Sequence, residues 1–325
     1  VGAALNDGNG NAAGHVRVFE YNGSDWIQIG SDIDGEAAGD NSGFSVSISS
    51  DGSIVSIGAP NNDGNGEDAG HVRVFEYSGS DWVQLGSDID GEAEGDGIAS
   101  IVNGNISLSS DGTIVAFGAR GNDGNGSSTG HVRVFEYSGG DWIQLGSDID
   151  GEADGDVLGD AVSLNSNGTI LAVGAVGGND VNGIMTGYAQ VYYYSDGEWG
   201  QLGSNIDGEA EGDVFGTFVS LSSDGNIVAV GAVQNDGNGE YSGHVRVYSL
   251  DGTLPYTGPV WHVAGFGSDS LGNGSYGFPY GSIQKAIDIS ENGDTVRVSS
   301  GTYIGNINFY GKDIVVEGEG PETTI

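Results

Sequence analysis

The chain has no cysteine, one methionine, five prolines and eight Lys and Arg residues in 325. Each shortage removes something. Without thiols there is no disulfide staple and no thiolate chemistry, although the compartment stays open on that ground. So few cations exclude nucleic acid as a partner, because phosphate binding needs clustered Lys and Arg. No apolar run approaches the ~20 residues of a membrane helix, so no transmembrane segment is expected in this stretch. No charged-then-apolar leader precedes Val1, and the sequence stops mid-pattern at "PETTI". We read it as an internal piece of a longer protein, for which a missing leader says nothing about export.

Acid and glycine are plentiful. The 47 Asp and Glu residues give a net charge of −39, which favours solubility and imposes self-repulsion in dilute salt. High ionic strength, where the Debye length falls to roughly 3 Å at 1 M, or a divalent cation would relieve it. The 63 glycines lie between short, regular apolar runs, which reads as turns and not as disorder.

The chain is written on a repeat. "GHVRVFEY" starts at Gly14, Gly70 and Gly130, returns as "GYAQVYYY" at Gly187 and as "GHVRVYSL" at Gly243, spaced by 56, 60, 57 and 56 residues. The extra residues fall between strands, where a repeat architecture tolerates them. Within a unit, "FSVSISSDGSIVSIGA" is two alternating runs joined at Asp51-Gly52, a type I′ hairpin signal repeated at Asp111-Gly112, Asn167-Gly168 and Asp224-Gly225. A Gly/Asn/Asp loop, the strand "HVRVFEY", the turn "SGSD" and the strand "WVQLGSDI" complete it. Four short antiparallel strands per repeat predict the blade of a β-propeller, ahead of a stacked solenoid. Residues 1–250 hold three strands of a first blade, three complete blades and three strands of a last, and the phase predicts further repeats upstream, for seven blades in the intact protein.

"GFSVS…IGAP" from Gly43 to Pro60 and "FGTFVS…VGA" from Phe215 to Ala232 resemble FG-GAP repeats, the blades of integrin-α-type propellers. That resemblance implies an extracellular or cell-surface propeller used in adhesion or recognition. The family's calcium loop, an Asp-rich insertion between the first two strands, is replaced here by "SSDG". A two-residue turn cannot wrap an ion that needs 6–8 oxygens, so those ligands do not carry over.

A second acidic stretch is the candidate cation site. "GSDIDGEAEGD" runs from Gly86 to Asp96, with near-copies at Gly30, Gly146 and Gly203. The candidate Ca2+ ligands are Asp32, Asp34, Glu36, Asp88, Asp90, Glu92, Asp96, Asp148, Asp150, Glu152, Asp207 and Glu209. On an extended backbone Asp88, Asp90 and Glu92 point to one side and Ile89 to the other. The order departs from an EF-hand, because its Gly comes one step early and no closing bidentate acid follows. The competing reading is a blade-to-blade crossover, with Ile in the core, Gly at the bends and the carboxylates solvated or paired with Arg. A second choice is "NDGNG", with Asp7, Asp63, Asp123 and Asp236, which is also ordinary turn chemistry.

Arg17, Arg73, Arg133 and Arg246 share one slot of "HVRV", and His15, His71, His131 and His244 another. Recurrence at each repeat favours a structural role, and we expect the Arg to hold the Gly-Asp carboxylates Asp40, Asp96 or Asp156. Trp26, Trp82, Trp142 and Trp199 open the fourth strand as blade packing, with sugar stacking as the alternative.

From about Leu254 the repeat stops. "TLPYTGP" reads as a linker, 251–259, and 260–325 as another domain. "SIQKAIDIS" predicts a helix with Ser282 as N-cap and Ile283, Ala286 and Ile287 on one face. "DTVRVSSGTY", "GNINFYG" and "KDIVVEGEG" read as short strands. With "GSDSLGNGS" at Gly267 and "PYGSIQKAI" at Pro279, they resemble the N-terminal cap of right-handed parallel β-helix proteins of the pectate-lyase-like class, which includes polysaccharide lyases, hydrolases and non-catalytic surface proteins. In that class the catalytic groups lie on later rungs, so Lys285, Arg297 and Lys312 are expected as surface or cap residues, and no catalytic residue is assigned.

The expected fold is all-β: a β-propeller of four-stranded blades present as about five repeats, then the capped start of a parallel β-helix. The expected function is a non-enzymatic surface or adhesion module binding glycans or extracellular proteins, with Ca2+ as the candidate ion. The alternatives are the accessory propeller of a secreted carbohydrate-active enzyme, whose active site lies beyond this stretch, and a structural spacer.

Overall fold

Alternation of apolar and polar residues in short runs, punctuated by Gly, favours short strands joined by tight turns, and in the first unit of the computed structural model the strands pair antiparallel. The structure describes residues 1–99, 105–178, 185–195, 197–250, 260–265, 267–269, 274, 279–299 and 301–318. The linker 251–259, the insertion around 101–104, the loop 179–184 and the last seven residues lie outside the described residues. The chain divides into two units, Val1–Tyr248 and Ser249–Ile325.

In the first unit each complete repeat is one sheet. In the second repeat, Ser45–Ile48, Ile54–Ala59, His71–Tyr77 and Trp82–Gln84 form an antiparallel meander, the strand order of a propeller blade. The third and fourth repeats are built alike, with partial sheets before and after them. The long third strand carries a further partner that the sequence does not announce. Its C-terminal half pairs Trp82–Gln84, while its N-terminal half pairs Ile89–Asp90, so that Val72 faces Ile89 and His71 faces Asp90. The acidic segment therefore begins as a resumption of the edge strand, and only then crosses to the next sheet.

The hairpin at Asp51-Gly52 forms, but not as type I′. Only the Gly has positive φ, at 75°. The loop is longer, closed by Ser49 N–H to the Ile54 carbonyl and Gly52 N–H to the Ser49 carbonyl, at 2.9 and 3.0 Å. Asp51 Oδ1 accepts from the Ser53 amide and from the Ser49 and Ser53 hydroxyls, which keeps Asp51 out of the left-handed region. These hydrogen bonds to the charged form pull its carboxyl down to about 2.

Successive sheets pack through their faces, and the cores lie between them. Val16, Ile33, Ile57 and Phe75 join the first sheet to the second, and Val72, Val74, Ile89, Val115 and Phe117 the second to the third. An acid-Trp pair on each following sheet latches it to the preceding one. The Trp82, Trp142 and Trp199 indole N–H groups donate to the carbonyls of Ile29, Leu85 and Leu145, at 3.0, 2.7 and 2.7 Å. Asp81 and Asp141 accept from the Ser31 and Ser87 amides at 2.8 Å, and Glu198 does so from Ser147 at 3.1 Å. Between carbonyl and serine lies a Gly. At Gly86, φ is +74° and an added Cβ would stand 2.7 Å from the Trp142 ring. Where no sheet is packed on, the same slots are exposed: Trp26 is 67% accessible against 9% for Trp142, and Val245 68% against 0% for Val132.

The second unit is a three-stranded parallel sheet. Val260–Val263, Thr295–Val298 and Val315–Gly318 lie side by side, with Thr295 between Val260 and Val315. Gly305–Gly311, expected as a strand, is not one: its residues are mostly exposed and make no ladder. The helix Ile283–Ile289 starts where Ser282 Oγ accepts from the Lys285 amide, and it buries Ala286 and Ile287 in the core with Trp261, Val263 and Val296. Lys312 Nζ closes its other end, donating to the Ile287, Asp288 and Ser290 carbonyls at 2.7–2.8 Å, where a cation offsets the helix dipole.

Two outcomes follow. Trp142→Phe keeps the ring but strands the Leu85 carbonyl, and should cost about 1–3 kcal/mol in denaturant unfolding, whereas Trp26→Phe should be neutral. Asp51 is ionised in the folded state down to a lower pH than in the unfolded chain, so its stabilisation is complete above about pH 4 and is lost as pH falls through about 2. The parent's advantage in melting temperature over Asp51→Asn should therefore shrink across that window. Asn167, which makes the same turn in the fourth repeat, shows that the variant can fold.

Candidate functional site

The candidate carboxylates sort by position into four groups. Asp34, Asp90, Asp150 and Asp207 occupy one register, opposite His15, His71, His131 and Tyr188, with exposed side chains. The Asp90 carboxyl is pushed up by partial burial and, secondly, by the neighbouring Asp88 charge. Asp32, Asp88 and Asp148 turn back to the strand before them and accept from Gln28, Gln84 and Gln144. Asp32 also takes Arg17 through three contacts of 3.0–3.1 Å, and its pKa is lowered by Arg17 first and then Gln28.

Glu36, Glu92, Glu152 and Glu209 reach forward to the next repeat. Glu36 Oε1 is 3.4 Å from Arg73, Glu92 Oε1 3.5 Å from Arg133, and Glu209 Oε1 3.6 Å from Arg246, while Glu152 accepts from Gln190 at 2.8 Å. Asp96 is different again. It is 2% exposed and accepts from the Glu92 and Ala93 amides and from Asn122, at 3.0–3.2 Å. It folds the crossover back on itself.

The expected Arg partner is corrected here. Asp40, Asp96 and Asp156 are held by amides together with Asn62, Asn122 and Tyr188, not by Arg. The guanidinium instead joins repeats. Arg73 donates to the Asp34 carbonyl at 2.7 Å, faces Glu36, and lies over the Phe75 ring at 5.3 Å. A buried Gly-Asp carboxylate needs short-range donors, which the tight loop itself supplies.

In the "NDGNG" loops, Asp7, Asp63, Asp123 and Asp236 each accept the amide five residues on, at 2.6–2.9 Å, and Asn6, Asn62, Asn122 and Asn235 the amide two residues on, at 2.7–3.0 Å. This is turn chemistry. The Trp side chains pack between sheets, and only Trp26 offers an exposed ring among the four.

Sequence reading overlooked two things. His71 and His131, assigned to structure, converge with Glu36 and Asp88, and with Glu92 and Asp148. Both imidazoles are held below the ordinary histidine range by burial, His71 at about 4 with Arg73 contributing, so they are neutral at neutral pH. Asp160, in a slot that holds Phe44 in the second repeat and Thr217 in the fifth, is 3% exposed, its carboxyl raised by burial although Arg120 stands 3.6 Å away. The signal for the first was in the repeat: His, Arg, Glu and Asp recur as a set.

No family model matches the chain, and no curated protein matches it, so the FG-GAP and pectate-lyase likenesses rest on their motifs alone. Among solved structures, the chain is similar to the β-propeller domain of the Trilobed protease from Pyrococcus furiosus (11% identity, 73% of this chain, 62% of that one, TM-score 0.42). It is similar to the tricorn protease (9%, 69% and 23%, 0.38) and to a putative TolB from Agrobacterium tumefaciens (13%, 65% and 59%, 0.37). The chain thus spans less than two thirds of the length of each.

Arg73→Met should lower stability by about 2 kcal/mol, because it strands the Asp34 carbonyl and leaves Glu36 unpaired. Arg17→Met, at an exposed pair, should leave the melting temperature nearly unchanged. Equal effects would show that the buried slot has no special role.

Proposed function

We propose that residues 1–250 are an open run of β-propeller blades acting as a non-catalytic recognition module, exported and displayed outside the cell, that binds glycans or extracellular proteins. The observation that supports this is repetition at the surface. An active site is normally single, whereas here the exposed carboxylates recur in one register in four successive repeats. An array of weak identical sites gains by avidity, by about a hundredfold or more against a multivalent target. Ca2+ enters this reading as a counter-ion for the row Asp34, Asp90, Asp150 and Asp207, bridging it to anionic groups on the partner, and not as an ion wrapped by one loop.

The second unit fits the reading as the capped first rungs of a parallel β-helix, since its three strands are parallel, in register and closed by a helix. Its cations are taken up structurally: Lys312 caps the helix and Arg297 pairs with Glu317 at 2.6 Å.

The test is binding of the full chain to arrays of polysaccharides and extracellular-matrix proteins, with calcium and with a chelator. Calcium-dependent retention on dense displays, lost on sparse ones, is expected. Cleavage of a polysaccharide by the chain would replace this reading with that of a carbohydrate-active enzyme, and no retention on any surface would leave a spacer.

A further inference from the structure

Two side-chain clusters of the same composition lie where one repeat meets the next. Glu36, His71 and Asp88 form the first, Glu92, His131 and Asp148 the second, and in each the three donor atoms lie within 4.8 Å of one another. Glu36 comes from the preceding crossover, His71 from the third strand and Asp88 from the edge, so the cluster ties three segments.

The polar accounting of the first cluster is incomplete. His71 is 1% exposed. Its Nε2 is buried without a partner, and its Nδ1 has only Glu36 Oε2 at 3.9 Å and Asp88 Oδ2 at 3.8 Å, beyond hydrogen-bonding reach. The other oxygens are already engaged, Glu36 Oε1 by Arg73 and Asp88 Oδ1 by Gln84. Two carboxylate oxygens and an imidazole nitrogen therefore face one another without a hydrogen bond between them, each carboxylate oriented from behind, as the outer partners of metal ligands orient them. The second cluster repeats this. His131 is 1% exposed with Nε2 unpartnered, its Nδ1 is 4.0 Å from Glu92 Oε2, and Arg133 and Gln144 hold the outer oxygens of Glu92 and Asp148.

The fourth repeat supplies an internal control. There Tyr188 stands in the His slot, Gln190 in the Arg slot and Asn205 in the Asp slot. All three change together, and the result is a closed set of hydrogen bonds: Tyr188 to Asp156, and Gln190 to both Glu152 and Asn205, at 2.8–3.0 Å. Where the ligand-type residues are lost, neutral donors and acceptors satisfy one another. Where they are kept, they do not.

We propose that each of the two clusters binds one divalent transition-metal ion of the zinc class, through His Nδ1 and one oxygen from each carboxylate, with solvent completing the shell. An imidazole and three protein donors suit zinc, and calcium prefers an all-oxygen shell of six or more. Donors around a tetrahedral zinc sit about 3.4 Å apart, so the His–carboxylate separations of 3.8, 3.9 and 4.0 Å must close by about half an ångström, and the carboxylates must draw together with them. The half-exposed Glu36 and Asp88 side chains have that freedom. The ion pins the crossover of one repeat to the strands of the next, and binding to the folded state alone raises stability by mass action. This site does not depend on the recognition reading, which stands or falls by its own surface assay.

The experiment is calorimetric titration of the metal-stripped full chain with Zn2+ alone, in parallel with Ca2+, and with Co2+ followed by its visible absorption. The expected result is two zinc ions per chain, a rise in melting temperature, and a cobalt spectrum that calcium does not displace. His71→Asn and His131→Asn should each remove one ion and half of the cobalt absorption. Asp88→Asn, which copies the natural Asn205, should remove one ion while leaving metal-free thermal unfolding unchanged, so that a lost site is not confused with a lost fold. Absence of saturable zinc binding, or a stoichiometry unmoved by these substitutions, would overturn the proposal.

Discussion

The structure depends on one joint, the seating of an Asp-Trp pair on the Gly-Ser of the sheet before it. No single sheet here buries enough apolar surface to stand alone, and each is completed by its neighbours, as in other repeat architectures. The indole does two things at once. It fills the apolar space between sheets, and it satisfies a carbonyl left free where the edge strand breaks. The adjacent carboxylate takes the serine amide exposed by the same break. This fixes the glycine, since the ring lies against its backbone where a Cβ would collide. The break in turn lets the chain rejoin the third strand at Ile89–Asp90 before it crosses over.

That joint explains how so acidic a chain holds together. The carboxylates are sorted by the crossover into distinct environments. Asp40 and Asp96 are spent on amides inside the loop. Glu36 and Glu92 reach the arginines of the following repeat, Asp32, Asp88 and Asp148 take the glutamines of the edge strand, and Asp34, Asp90 and Asp150 form the exposed row. The few cations of the first unit sit mainly between repeats, where one guanidinium touches two of them. Charge repulsion is thereby pushed to the outer row, where an ion or a partner can meet it, and the interior contacts are left neutral or paired.

Much of this was legible in the residues. The repeat, its phase, the four-strand meander and the buried isoleucines of the acidic segment follow from spacing and alternation alone. The helix and its Ser282 cap follow from local propensity. What escaped depends on contacts far apart in sequence or on loop closure. The hairpin was read as type I′ from its Asp-Gly pair, but the flanking serines hold Asp51 at negative φ and lengthen the loop. Arg73 was assigned to a Gly-Asp carboxylate, yet Glu36 lies closer to its slot once the crossover doubles back. Gly305–Gly311 alternates like a strand, but it joins no ladder among the described residues and is tied instead by the Gln284 side chain at Asn308. The His-centred clusters were hidden because each ligand belongs to a different segment; the recurrence of His, Arg, Glu and Asp as a set, and their concerted change at Tyr188, Gln190 and Asn205, mark them in the sequence.

The most direct test of the joint is hydrogen exchange at the tryptophan indole N–H groups, followed by NMR on the full chain with resonances assigned by substitution. The indoles of Trp82, Trp142 and Trp199 should be protected to nearly the stability of the sheets they bridge, and Trp26 should exchange at the rate of a solvent-exposed indole. Equal exchange at all four would contradict the claim that each repeat is held by the one before it.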